Sequence, residues 1–337
     1  MMKQCDNKAL DNLMTTNNEE SQNSNNALLG YWAAHEQYSM QDLLRFVVEA
    51  EKNGFTTTMT SDHFHPWWHD NAYGNFAWIW IAVAAERTKK MQFVTGVTAP
   101  IYRYHPAIIA QAFASLDILY PDRIGLGLGT GESMNETPLG FDWPRPKARL
   151  KRMIEAAQII SKLWHTTTNK DNNNDGKKTS NYGSEDDEGF VYFNGEYFLI
   201  RNAKLYSPPA SHHIPIFMAA AGPESAKASA KYSDGLITFL KAKDSQKILD
   251  VFDRIIQKDG KGDNNNINSK QKIAEYKVSY SNNYEQAFNS SKFWRATLLK
   301  DAFNTSISDP RRLEQKAKQQ VHDQQLKESI EITTSIE

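Results

Sequence analysis

The sequence predicts an α/β barrel of the TIM-type (β/α)8 class whose last β/α unit is not readable, and three observations predict it. Short β-rich runs alternate with helical runs along most of the chain, the pattern of a parallel sheet covered by helices. Two of those runs stop abruptly on polar clusters, TSDHFHPWW at 60–68 and GTGESMN at 129–135; barrels of this class assemble their sites at the C-terminal ends of strands. At 337 residues the chain has room for one barrel of about 250 residues with insertions.

Composition removes several classes of function. A formal net charge of -1 gives no electrostatic reason to expect nucleic acid or an anionic membrane as partner. The single cysteine, Cys5, lies in a polar N-terminal stretch, which leaves neither a disulfide framework nor a cysteine-rich metal site. No apolar run approaches the roughly 20 residues that span a bilayer. Residues 1–26 are rich in Asn, Asp and Glu and lack the apolar core of a signal peptide. The expectation is a cytoplasmic protein with a disordered tail at 1–26 and a barrel over 27–337.

The elements follow in order. A strand at 28–32 precedes a helix at 41–52, which stops at Asn53-Gly54, where glycine supplies a left-handed cap. Strand 55–59 precedes helix 76–88, strand 91–98 precedes helix 106–119, and strand 124–128 precedes the long helix 147–163. The alternation then breaks at 166–189, a Thr, Asn, Asp, Lys, Gly and Ser tract expected to form a mobile surface insertion. Two β-rich runs about Asn194-Gly195 predict a hairpin over 190–200. The unit resumes with strand 216–219, helix 223–232, strand 236–239, helix 245–256 and strand 272–280, with a second polar excursion at 258–270. Seven core strands are readable. The remainder, 284–337, reads as helices and loops, and its β-like run at 330–332 is too polar for a barrel core. A sheet left unclosed in this way would expose two unpaired strand edges.

Several residues carry candidate chemistry. His63 can exchange a proton near neutral pH, and it sits beside Asp62 at a strand end; from the residues alone a loop histidine without a role is an equally open reading. Glu132 follows Gly129-Thr130-Gly131, where glycine permits close backbone approach to a ligand, and can serve as the complementary acid or base. The glycines at 125, 127, 129 and 131 fit neither the G-x-G-x-x-G spacing nor a Walker loop. Residues 219–225 (AAAGPES) run from a strand into a helix with proline at its first position, an arrangement able to hold an anionic group on helix N–H donors or to be an ordinary connection. Trp67, on a polar loop, is a candidate ligand contact. The histidines show no H-E-x-x-H spacing, so no metal site is expected.

Taken together, Gly30-Tyr31 with Glu36-Gln37, the SDHFHPW run at 61–67, Trp80 with the AERT run at 85–88, the RYHPA run at 103–107 with AQAFA at 110–114, GTGESMNE at 129–136 and AAAGP at 219–223 resemble the F420-dependent glucose-6-phosphate dehydrogenase family of the luciferase-like (β/α)8 oxidoreductases. The match runs from about residue 28 to residue 310. The resemblance implies coenzyme F420, a deazaflavin, lying across the strand ends and accepting a hydride from a carbinol carbon. It implies that Asp62, Thr130, Gly131, Asn135, Ala221, Gly222, Glu224 and Ser225 hold the coenzyme, with a non-prolyl cis peptide at Gly96-Val97 beneath the ring. His63 and Glu132 would form the acid/base pair, with Trp67 against the reacting centre, and the protein would be a homodimer. The departures are as informative. Ala99 replaces a coenzyme-contacting threonine, Asn304-Thr305 replace a Lys-His pair for the sugar phosphate, and Glu328 aligns near a phosphate-binding arginine. Lys241 or Lys243 could replace one lysine. A doubly charged phosphate without those cations would be poorly held, so the expected substrate is a small hydroxyl-bearing molecule, an alcohol or sugar-like compound, other than glucose 6-phosphate. An FMN-dependent luciferase-like monooxygenase and a catalytically impaired coenzyme-binding barrel are the alternatives; Asp62-His63 followed by Pro66-Trp67 favours F420.

Overall fold

The computed structural model describes residues 28–165, 189–239, 245–259 and 270–335. The expected tail at 1–26, nearly all of the insertion at 166–189, most of the second polar excursion, and Lys241 and Lys243 lie outside them.

The chain opens with β1 (Gly30–Ala33) and α1 (Met40–Lys52). The Ser39 hydroxyl caps α1 by accepting from the Asp42 N–H, while Leu43, Leu44 and Val47 supply the buried stripe. Gly54 then takes a left-handed φ of 87°, which lets the chain turn into β2 (Thr57–Thr60). The Glu51 carboxylate at the end of α1 accepts from the N–H groups of Lys89, Lys90 and Met91, fixing where the following strand begins. α2 (Ala77–Arg87), β3 (Gln92–Thr95), α3 (Pro106–Leu119), β4 (Ile124–Leu128), the single turn α4 (Ser133–Glu136) and the long α5 (Pro146–His165) complete the first half.

The predicted hairpin is present as β5 (Val191–Asn194) paired antiparallel with β6 (Leu199–Ala203), apart from the main sheet. β7 (Ile216–Ala219), α6 (Pro223–Tyr232), β8 (Gly235–Phe239), α7 (Ser245–Asp259) and β9 (Gln271–Glu275) follow. The main sheet has seven strands in the order β1-β2-β3-β4-β7-β8-β9, every neighbouring pair parallel. It is a curled half-barrel with helices outside, as expected from a sequence without a readable last unit. The largest core cluster lies between this sheet and its helices and includes Trp80, Phe93, Phe113 and Ile160.

Two strands end sooner than the sequence suggested. β3 stops at Thr95, just before the cis Gly96-Val97 peptide; pairing resumes only as an isolated bridge between Thr98 and Leu128. The run 272–280 divides. Lys277 reaches back to Glu275, Nζ to Oε1 2.6 Å, and the chain leaves the main sheet to form β10 (Val278–Tyr280). After α8 (Tyr284–Ser291), a 3-10 helix over Lys292–Leu298, α9 (Pro310–Gln320) and α10 (Asp323–Ser329), the polar run near 330 becomes β11 (Glu331–Thr333), paired parallel with β10 in a separate ribbon.

This C-terminal part lies over the strand ends. Ala296, Leu299, Ala302, Leu313, Ala317 and Val321 bury against Trp67, Trp68 and Met134. Trp294 touches both sides of the open sheet. Its indole N–H donates to Gln37 Oε1 (2.9 Å) just past β1, and Lys277, just past β9, stands 5.7 Å from its ring.

Candidate active site

The strand ends and the C-terminal cap line a cavity, the kind of concave surface on which small molecules and cofactors bind. β1 contributes Trp32, and the turn after it Glu36. Ser61, His63 and Trp67 come from the chain after β2, and residues 129–132 follow β4. The third side is formed by residues 219–221 at the end of β7, residues 237–239 of β8, and Glu275 at the end of β9 with Lys277 just past it; Trp294, Thr297 and Phe303 close it from above.

His63 stands between two carboxylates. Its Nε2 faces Glu36 Oε1 at 3.4 Å, and both side chains are nearly buried, 11% and 2% exposed. Its Nδ1 lies 3.2 Å from Asn135 Nδ2, which also donates to Glu132 Oε2 at 3.0 Å. The Ser61 hydroxyl donates to Glu36 Oε2 at 2.5 Å. Trp67 sets its ring edge-on to His63, centroids 5.9 Å apart, and is itself supported by Phe303 at 5.7 Å. One connected chain of polar groups thus joins Ser61, Glu36, His63, Asn135 and Glu132.

Asp62 turns the other way and is not on the cavity wall. Its carboxylate accepts from Thr98 Oγ1 (2.8 Å), Arg103 Nη2 (3.1 Å) and Tyr104 Oη (3.3 Å), and Arg103 also reaches its backbone carbonyl (2.9 Å). Burial and the Asp62 charge both hold the Tyr104 phenol far above its ordinary pKa. Nearby, burial raises the pKa of the Glu136 carboxyl, while the Arg103 N–H donates to it at 2.8 Å.

The wall expected to carry the coenzyme is made of backbone and small side chains. A Cβ on Gly96 would come within 2.7 Å of the Trp32 ring, and one on Gly129 within 2.2 Å of Val97 Cγ2. Only glycine fits at either place, so the wall around Gly96-Val97 is smooth. Ala221 and Ser225 line the cavity at the start of α6. Gly222 lies behind them, its N–H donating to Ser225 Oγ at 3.3 Å, and Glu224 faces solvent, paired with Lys227 at 2.6 Å.

Of the residues singled out in the sequence, the fold brings His63, Glu132, Trp67, Gly96, Val97, Thr130, Gly131, Ala221 and Ser225 onto one cavity. Asp62, Asn135, Gly222 and Glu224 stand outside the wall, the first two as supports behind it. At the positions where the phosphate cations were missing, Asn304 Oδ1 accepts from buried Arg149 at 2.7 Å, Thr305 is buried, and Glu328 is exposed on α10. Sequence reasoning gave no role to Glu36, Lys277 or Arg149. Glu36 has the signal that marked His63, a titratable group just after a β-run. Arg149 reads as one more cation on a helix, and Lys277 as one in a strand; only the fold turns them inward. Among the described residues no group of three or more ligating side chains could hold a metal ion, and no helix is long and apolar enough to cross a membrane.

This barrel, with its cavity at the strand ends, belongs to a known class. A family model of luciferase-like monooxygenases matches residues 23–332, and the chain is a member of that family. Its relatives sharpen the placement. An F420-dependent glucose-6-phosphate dehydrogenase of Mycolicibacterium gilvum is 35% identical over 294 residues, 86% of this chain and 80% of the relative. The enzyme of the same name from Mycobacterium tuberculosis is 32% identical over 291 residues, 86% and 80% of the two chains. Among solved structures, an F420-dependent secondary alcohol dehydrogenase in complex with an F420-acetone adduct superimposes with a TM-score of 0.79 at 32% identity, covering 91% of this chain and 86% of that one. A coenzyme F420 dependent tetrahydromethanopterin reductase from Methanopyrus kandleri, 19% identical with a TM-score of 0.62 over 80% of this chain and 72% of that one, shares the fold.

Proposed function

We propose that this chain is an F420-dependent dehydrogenase acting on small neutral alcohols. The observation that carries the reading is the cavity itself, which brings the acid/base side chains Glu36, His63 and Glu132 together with a wall of glycine and alanine on which a flat ring system would lie. Gly96, Val97, Thr130, Gly131, Ala221 and Ser225 would hold the deazaflavin, and the N-terminus of α6 would face its anionic tail. Bound there, the coenzyme supplies a two-electron acceptor for a hydride.

This chain's residues do the rest. A carbinol hydroxyl seated between His63 and Glu36 meets groups able to donate and accept a hydrogen bond, while Trp67, Trp294 and Phe303 keep water from the carbon that reacts. The neutrality of the substrate follows from the wall. Lys277 is the only lysine or arginine lining it among the described residues, and Glu275 already neutralises that cation at 2.6 Å. A dianionic phosphate would need unpaired cations there.

The test is titration of the purified protein with oxidised F420 and, separately, FMN, followed by fluorescence quenching. 2-Propanol and glucose 6-phosphate are then compared as donors by loss of the oxidised coenzyme's absorbance. Tight binding of F420 with turnover of 2-propanol is the expected result. Binding of FMN in its place, or a higher kcat/KM for glucose 6-phosphate, would overturn the reading.

A further inference from the structure

We propose that Glu36 takes the hydroxyl proton of the substrate, and that Asn135 locks His63 as its neutral Nε2–H tautomer, a hydrogen-bond donor to the substrate oxygen and not a base. The inference rests on the function just proposed and assigns the proton within that site.

The argument begins at the amide of Asn135. The backbone N–H of Phe64 donates to Asn135 Oδ1 at 2.8 Å, which identifies the oxygen end and turns Nδ2 toward its other two neighbours. Nδ2 donates to Glu132 Oε2 at 3.0 Å and faces His63 Nδ1 at 3.2 Å. An amide nitrogen only donates, so His63 Nδ1 must present its lone pair. A neutral imidazole with a lone pair on Nδ1 carries its proton on Nε2. Protonating Nδ1 as well would set two N–H groups head to head in a side chain only 11% exposed. Neither ring nitrogen is therefore available to accept a proton.

Glu36 is arranged in the opposite sense. The carboxylate is buried, and its Oε2 is occupied by the Ser61 hydroxyl, whose oxygen in turn accepts from the His35 N–H at 3.0 Å. That second bond leaves the Ser61 proton directed at Glu36. Oε1 remains, on the cavity wall, with His63 Nε2 at 3.4 Å. The separation is long for a direct N–H···O bond, so neither atom is committed to the other, and a hydroxyl approaching from the cavity can accept from Nε2–H and donate to Oε1. In the oxidation, the substrate O–H bond breaks and its proton bonds to Glu36 Oε1. The carbinol C–H bond would break with the hydrogen leaving as hydride, for which F420 held on the cavity wall would supply the two-electron acceptor, and C–O would become C=O. His63 keeps its proton throughout and stabilises the developing negative charge on oxygen.

Two measurements test this, the first without coenzyme. Nitrogen NMR of protein labelled at histidine, with His63 assigned by its loss in His63→Gln, should show Nε2 protonated and Nδ1 unprotonated at neutral pH. Asn135→Asp, which replaces the donor with an acceptor, should move the proton to Nδ1. An Nδ1–H form or an imidazolium in the unsubstituted protein would overturn the tautomer assignment. The second measurement is the pH profile of 2-propanol oxidation. Glu36→Gln should lower kcat by roughly 10²–10⁴-fold and abolish the acid limb of kcat/KM, with F420 affinity by fluorescence unchanged. His63→Gln, which retains an N–H donor, should be slower but keep that limb. Loss of the limb in His63→Gln with its survival in Glu36→Gln would overturn the base assignment. Failure to bind F420 would remove the proposed function and the proton transfer with it, whereas the tautomer is decided by NMR alone.

Discussion

Asp62 and His63 leave β2 side by side, yet one is tied into the support behind the cavity and the other faces into it. Asp62 balances Arg103, whose side chain is only 8% exposed. Asp62→Asn would leave that cation without its anion, a loss of about 3–5 kcal/mol for a buried pair, read as a lower urea midpoint; an unchanged midpoint would show that the pair carries no stability. His35 is a different case. Among the described residues neither of its ring nitrogens has a hydrogen-bond partner, and the ring packs edge-on to Trp80 at 5.1 Å. Burial, with a smaller contribution from the nearby His63, pushes its pKa down to about 4. Unfolded, it titrates near 6.5, so the unfolded chain takes up a proton first as pH falls. The contribution is therefore complete above about pH 6.5 and lost progressively toward pH 4, up to about 3 kcal/mol. Stability measured at pH 7 and pH 5 should differ less in His35→Phe than in the unsubstituted protein.

Between elements, β3 and β4 approach closely at Gly127. A Cβ on Gly127 would stand 1.9 Å from the Thr95 carbonyl oxygen, and the Thr95 hydroxyl bonds the Gly127 N–H and carbonyl at 3.1 and 2.9 Å. Gly127→Ala should cost at least the roughly 1–3 kcal/mol of core overpacking. Gly140→Ala, at a left-handed φ with open space around it, should cost only about 1–2 kcal/mol. Thermal midpoints of the two variants would separate steric conflict from backbone preference, and equal shifts would refute the close approach. Arg149 on α5 joins two further segments, donating to the Gly131 and Phe303 carbonyls at 3.1 and 3.3 Å. Arg149→Met would orphan acceptors at about 1–3 kcal/mol each, and cleavage of the C-terminal segment by a protease should quicken.

For the whole molecule, apolar side chains are left outside α2 and α3. Ile79, Ile108 and Leu119 are 59%, 53% and 64% exposed, and Trp78 packs on Phe113 to hold the two helices together. Helices apolar on nearly every side are buried in something. A second copy of this chain, the homodimer implied by the family resemblance, is the expected cover. Light scattering should give twice the chain mass, and Ile79→Asp with Ile108→Asp should give a monomer; a monomeric unsubstituted protein would refute it.

The sequence by itself determined the order of strands and helices, the TIM-type barrel class with its last β/α unit missing, and the strand ends that carry His63, Trp67 and Glu132, because periodicity, caps and turn residues are local. Only the tertiary structure decided that Asp62 and Asn135 support the wall while Glu36 and Lys277 join it, and that the run at 272–280 divides. Which way a side chain points at a strand end depends on partners distant in sequence: Glu36 meets Ser61 and His63 from 25 and 27 positions away, and Asn135 reaches His63 from 72. No local pattern encodes those encounters; the curl of the sheet makes them.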